Sequence, residues 1–239
     1  MNNQFKILFL IGRPAAGKSE IIDYLKKTPL ESRIERFHIS EFEEIDDFPM
    51  LWTWFEEDEI LEQMGKKRLH TDKQGYFNEV WLWDVLIRRM ELEYEKKLHD
   101  TPKYEETHTV IMEFARGSEH GGFRRAFDNF TPDILKKAAV LYLGVSFEES
   151  LRKNRKRYNP DRPHSILEHS LPDEKLIKIY KESDWEEFSS VHSDYLEIQN
   201  VKVPYIVFDN NDDVTTKGGN LLGERLEGVL GSLWRKTNM

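Results

Sequence analysis

Phe5–Leu25 reads FKILFLIGRPAAGKSEIIDYL, and its reading sets the expectations for everything around it. Ile7–Ile11 is an unbroken apolar run, as expected of a strand buried on both faces. Glu20–Lys27 has helical character and stops at Thr28-Pro29. Between them, Gly12-Arg13-Pro14-Ala15-Ala16-Gly17-Lys18-Ser19 fits the pattern G-x-x-x-x-G-K-[ST]. Gly12 lets the chain turn off the strand, and Gly17 lets backbone approach a phosphate closely. Amides of the loop and of the new helix's first turn lack intrahelical partners and are free to face an anion. Lys18 is long enough to reach β- and γ-phosphates, and the Ser19 hydroxyl is a ligand for Mg²⁺. The competing reading is a plain strand-to-helix turn with an incidental lysine. The flanking strand and helix, which the pattern requires, count against it.

The chain has 239 residues, 38% apolar and 33% charged, with a formal net charge of −9. That length suits one large α/β domain or a core with an inserted helical subdomain. The negative field argues against a nucleic-acid partner unless a local basic patch overrides it. There is no cysteine, which excludes disulfides and thiolate metal sites and fits a cytoplasmic protein. No stretch reads as a secretory leader or a membrane span.

Along the chain, Arg33–Ser40 alternates weakly and is expected to be a second strand. Glu41–Asp47 is strongly acidic; it reads either as the solvated start of a helix or as a source of a substrate-facing carboxylate. Residues 48–100 are expected to be mostly helical. Trp52, Trp54, Phe55, Ile60, Leu61 and Met64 form one block. A loop over 70–75 follows, and then a helix from Tyr76 to Leu98. Four of the six tryptophans lie here. They suit helix-on-helix core, or the wall of an acceptor pocket.

His108–Phe114 is the next strand, and Glu113 near its end is placed to hold Mg²⁺ through water or to take a proton from an attacking hydroxyl. Arg116, in the loop after it, is suited to pin an acceptor's phosphate or carboxylate; the alternative is a Glu113–Arg116 pair. Ala138–Val145 is a further central strand, and Ser146-Phe147-Glu148-Glu149 is a capping box that opens a helix. That helix carries Arg152, Lys153, Arg155, Lys156 and Arg157, and Arg162 lies in the loop beyond. By spacing, Arg152, Arg155 and Lys156 share one face. Helices are expected from Ser170 towards Lys181 and from Asp184 through Ile198. A last strand is expected over Val203–Phe208, then a polar loop over 209–213 that includes Asn210, and a closing helix near 219–234. The polar loop suits either an adenine-lining role or an ordinary turn.

In this order of elements the chain resembles the P-loop kinase superfamily, in the branch that includes nucleoside monophosphate kinases, shikimate kinase and gluconate kinase. The resemblance implies a three-layer α/β fold with a five-stranded parallel sheet in the order 2-3-1-4-5. It implies a single domain over 1–239, with a helical acceptor-side insert at about 41–105 and an arginine-rich lid at about 150–172. It also implies transfer of the γ-phosphoryl of Mg²⁺-bound ATP to a small-molecule or nucleotide acceptor. In such a protein residues 12–19, Arg152 and Asn210 hold the nucleotide, Ser19 and Glu113 the metal, and Lys18, Glu113, Arg116, Arg155, Arg157 and Arg162 act on the transferring group. The Thr-Gly-Asp-like element of adenylate kinases is missing from Ile39–Phe48, and Glu41, Glu43, Glu44, Asp46 and Asp47 are the candidates for the carboxylate that gluconate and shikimate kinases place there. Two other readings stand beside the kinase: a nucleotide-responsive switch, and a polynucleotide-end kinase using Lys66–Arg68 and the arginine cluster.

Overall fold

A computed structural model describes residues 3–157 and 170–237. Its organising strand is β1 (Ile7–Gly12), buried along its whole length. After β1 come α1 (Lys18–Lys27), α2 (Leu30–Phe37), β2 (Glu41–Asp46), α3 (Asp47–Gln63), α4 (Leu82–Asp100) and α5 (Tyr104–Thr107). Then follow β3 (His108–Phe114), a 3-10 turn at Ser118–His120, α6 (Gly122–Asp128), α7 (Pro132–Leu135), β4 (Ala138–Gly144) and α8 (Phe147–Arg157). The rest is α9 (Asp173–Tyr180), α10 (Trp185–Ser189), β5 (Tyr195–Ile198), β6 (Val201–Asp209), α11 (Val214–Lys217) and α12 (Gly219–Thr237). No helix among the described residues is long and apolar enough to cross a membrane.

The sheet has six strands in the order β2-β3-β1-β4-β6-β5. Five run parallel, and β5 is antiparallel to β6. Side chains alternate along each strand, so β1 serves two cores. Ile7, Phe9 and Ile11 pack with Val110, Met112 and Phe114 against Ile87, Met90, Phe123 and Phe127 of α4 and α6. Leu8 and Leu10 pack with Ile111 and Leu141 against Ile21 and Leu25 of α1 and Leu226 and Leu230 of α12. Full burial of each such side chain contributes about 1.5–3 kcal/mol, so the two apolar faces hold helices to sheet. Because β1 is flanked by β3 on one side and β4 on the other, successive connections leave in opposite directions. That reversal opens a crevice beyond the carboxyl end of β1, where open parallel sheets place ligands.

Four expectations are corrected. The sheet is six-stranded, not five-stranded. Its extra member is β5, which forms a hairpin with β6 through Gln199 and Asn200, both left-handed at φ 51° and 63°. Such a turn suits the right-handed twist of paired strands, and it replaces the second half of the helix expected over 184–198. The second strand is not at 33–40: that stretch is α2, whose Arg33 and Phe37, four residues apart, are buried on one face. The acidic run Glu41–Asp46 is itself β2, an edge strand that leaves several of its carboxylates in solvent. Finally, the helix expected from Tyr76 starts only at Leu82, because Thr71 and Phe77 form an antiparallel bridge around the preceding loop.

Candidate active site at the carboxyl end of the sheet

The loop after β1 is held from behind. A Cβ on Gly12 would lie 2.8 Å from the Leu143 carbonyl, and one on Gly17, at φ 111°, would lie 2.4 Å from Thr215 Oγ1. Neither position has room for a side chain. The loop's carbonyls are already engaged. Lys18 Nζ donates to Arg13 O at 3.3 Å, Ser150 Oγ to Pro14 O at 2.7 Å, and Asn210 Nδ2 to Ala16 O at 2.7 Å. Arg13 in turn donates Nη1 to the Tyr180 carbonyl and, at 3.1 Å, to that of Lys181, at the end of α9. At the other pole, α1 has no side-chain cap at its N-terminus, and a cleft of about 380 Å³ lined by Ala15–Glu20 lies against it. A loop whose carbonyls at Arg13, Pro14 and Ala16 accept from the scaffold, and whose helix start is uncapped, has the chemistry to receive an anion.

Asn210 is fully buried and serves this seat from within rather than facing a cleft. Besides Ala16 O it donates to Thr215 Oγ1 at 2.8 Å, and its Oδ1 accepts from the Thr215 amide at 3.2 Å. Asn210→Ala strands Ala16 O and the Thr215 amide, while Thr215 Oγ1 keeps its bond from Lys153, and each stranded group costs about 1–3 kcal/mol. The expected result is a melting temperature lowered by several degrees together with weaker Mg·ATP binding, read by differential scanning calorimetry and titration calorimetry.

The cationic side of the cleft comes from α8. Lys153, Lys156 and Arg157 line it; Lys153 is buried, 2.7 Å from Asp213 Oδ1 and 3.3 Å from Thr215 Oγ1. Arg152 instead pairs with Glu149 and Asp213 in solvent, and Arg155 pairs with Asp173 in solvent. Neither lines the clefts at the loop. Arg162 lies outside the described residues. The face of α8 turned to the loop carries Ser150, Lys153, Asn154 and Arg157, one residue on from the face that spacing among the arginines suggested. The capping-box start fixed the helix but not its rotation.

A second cleft of about 590 Å³ shares Ala15, Lys18, Ser19, Glu113 and Arg157 with the first. Its floor is three carboxylates. Asp46 ends β2 directly opposite Glu113 of β3, and Asp47 opens α3. Lys18 Nζ is 3.7 Å from Glu113 Oε1, and Arg116 Nη1 is 2.5 Å from Asp47 Oδ2. Burial, then repulsion from Glu113 and Asp47, raises the Asp46 carboxyl to about 8. Burial also raises Asp47, opposed by Arg116, and raises Glu113, opposed by Lys18. Asp46, Asp47 and Glu113 share this poorly solvated corner with Lys18 and Arg116, beside the Ser19 hydroxyl, and Arg157 also favours the charged form of Glu113.

The donor set of hydroxyl and carboxylate oxygens fits a hard divalent ion such as Mg²⁺. Among the described residues no group of three or more acidic or imidazole side chains is arranged to hold a metal ion by itself.

Arg116 is 2% exposed. It is spent on Asp47 and on the Ala115 carbonyl, and lies 4.9 Å from the Trp83 ring centre. It therefore pairs with Asp47 rather than with Glu113, and its planar face forms cleft wall. Sequence reasoning singled out neither Lys153 nor the Asp46–Glu113 juxtaposition; the second was hidden by reading 33–40 as the strand.

No family model matches the sequence, and no curated protein matches it. Among solved structures, the chain is similar to an unliganded sugar kinase from Janibacter sp. HTCC2649, at 14% identity and a TM-score of 0.38, over 95% of each chain. It is also similar to the protein APE1195, at 13% identity and a TM-score of 0.38, over 95% of this chain and 98% of that one. At that level of similarity nothing of their activities carries over.

Proposed function

We propose that this chain is a P-loop phosphotransferase, with a three-layer P-loop NTPase fold, that moves the γ-phosphoryl of ATP to a hydroxyl of a small acceptor. The observation that supports it best is the loop over 12–19: its carbonyls are tied to Lys18, Ser150 and Asn210, and its uncapped helix start adjoins the lysine-lined cleft. On this reading the chain is one domain; the insert expected at about 41–105 begins with β2, a strand of the sheet, so its helical part is α3 to α5, and residues 158–169 of the lid expected at about 150–172 lie outside the described residues. The nucleotide and the cysteine-free sequence suit the cytoplasm.

Loop amides and Lys18 bind the β- and γ-phosphates. Ser19 and, through water, Glu113 would hold Mg²⁺, which would supply neutralisation of charge on the phosphate oxygens. Arg157, with Lys153 and Lys156, stabilises the charge that spreads over the transferring group. Asp46 Oδ takes the proton of the acceptor hydroxyl as its oxygen bonds to the γ-phosphorus. The bond from γ-phosphorus to the bridging oxygen breaks, and ADP leaves. Glu44, Asp46, Asp47, Glu93 and Glu113 all line the second cleft. Lys18, Lys97, Arg116 and Arg157 line it as well.

The test is ADP release from Mg·ATP against a panel of hydroxyl compounds. Release that depends on one acceptor, by about 100-fold or more over the acceptor-free rate, is the expected outcome. Slow release indifferent to every acceptor would instead mark a nucleotide-responsive switch.

A further inference from the structure

The second cleft shares the walls Phe48, Leu51, Trp83, Leu171 and Tyr180 with a further chamber of about 690 Å³. That volume falls within the usual range for small-molecule sites. The aromatic-rich segment around it divides in two. Trp54, Leu82 and Leu86 are buried in a supporting cluster. Trp52, Phe55, Tyr76, Phe77 and Trp83 line the chamber and are only half-buried. Aromatic surface left facing a concavity forgoes the free energy of burial until something apolar covers it.

The chamber is built as well as apolar. The Trp83 ring is backed by the His120 ring at 3.7 Å and lies 4.6 Å from that of Phe77. His120 is 4% exposed, and its Nδ1 has no hydrogen-bond partner. Burial, then the nearby Arg116, pushes the imidazole down to about 2, so it backs Trp83 as a neutral ring. Lys175 and Lys178 sit 5.2 and 4.1 Å from the Tyr76 ring centre, and neither has a carboxylate within 4 Å among the described residues. Their ammonium groups are available to heteroatoms at the edge of a bound ring.

We propose that this chamber is the far half of the acceptor site, and that the acceptor carries a planar aromatic ring there while its reacting hydroxyl lies at Asp46 and Glu113. The inference rests on the phosphotransfer reading and narrows it: open-chain polyols and plain sugars would leave the aromatic walls uncovered.

The test is titration calorimetry on the full chain with Mg·ADP bound, using uridine, guanosine and pyridoxine as probes with an aromatic ring and D-ribose, which has none, as the control. At least one aromatic probe is expected to bind with a Kd below about 1 mM, with D-ribose at least about tenfold weaker. Phe55→Ala and Trp52→Ala, both outside the buried Trp54 cluster, are expected to weaken that probe about tenfold and to leave Mg·ADP binding as it was. The proposal is overturned if D-ribose binds as well as the rings, if no ring binds below about 1 mM, or if both variants bind the ring like wild type. Failure of the wild type to bind Mg·ADP at all would sink the phosphotransfer reading itself; intact Mg·ADP binding without ring preference sinks only this inference.

Discussion

Lys18→Ala is expected to lower acceptor-dependent ADP formation by about 10³-fold, the scale reached when one preorganised donor to developing charge is removed. Lys18 is 7% exposed, its ammonium held between Arg13 O at 3.3 Å and Glu113 Oε1 at 3.7 Å. Two losses follow from its removal. The transferring phosphoryl group loses a point charge at short range in a poorly solvated corner, where such charges count most. Glu113 also loses the cation that opposes its raised pKa, so its carboxyl moves further up and becomes a poorer partner for Mg²⁺. Lys18→Arg should not restore the rate, because a planar fork does not fill the place of a compact ammonium. Steady-state kinetics read the effect, with thermal melting to show that the variant is folded. Wild-type turnover in Lys18→Ala would remove the loop from the mechanism.

Asp46→Asn is expected to lower turnover by about 10²–10⁴-fold, the range for loss of a positioned general base, with the KM for ATP close to wild type. The substitution keeps an oxygen where Oδ1 accepts from the Phe48 amide at 3.0 Å, so the start of α3 survives it. The pH dependence follows from the raised pKa. A base must be ionised to accept a proton, so kcat/KM of wild type rises with pH through about 8, and Asp46→Asn loses that rise. Stability runs the other way. An unfolded Asp titrates near 3.9, so between about pH 4 and 8 the folded chain binds the extra proton, and stability falls as pH rises across that window. Asp46→Asn removes the penalty and should be more stable than wild type at pH 8. A variant less active yet harder to melt is the signature of a group kept for chemistry; equal losses of both would mark Asp46 as a helix cap alone.

The parts of this molecule that could be read from sequence are those where one residue type suffices. Gly12 and Gly17 are required because any Cβ would strike Leu143 or Thr215. β1, β3 and β4 announce themselves as apolar runs because both sheet faces are covered. Where pairing decides, the sequence was silent. β2 is built from Glu and Asp at a sheet edge, so its hydropathy resembles a solvated helix start. The hairpin from β5 to β6 turns on Gln199-Asn200, without the glycine that usually betrays such a turn. On α8 the arginines drew attention, yet the helix turns Lys153 and Arg157 to the loop and leaves Arg152 and Arg155 to surface carboxylates. Arg116 finds its partner Asp47 across 69 residues of sequence, and no local pattern encodes that contact. The split of the aromatic segment into supporting core and chamber wall likewise depends on how α3 packs on α4, which hydrophobic spacing alone does not settle.

The most direct measurement is a crystal structure of the chain with Mg²⁺ and a non-hydrolysable ATP analogue. The account predicts the triphosphate lying on the amides of Ala15–Ser19, with Lys18 at its β- and γ-phosphates and the metal between Ser19 and Glu113. A triphosphate bound elsewhere, or a loop left empty at saturating analogue, would contradict it.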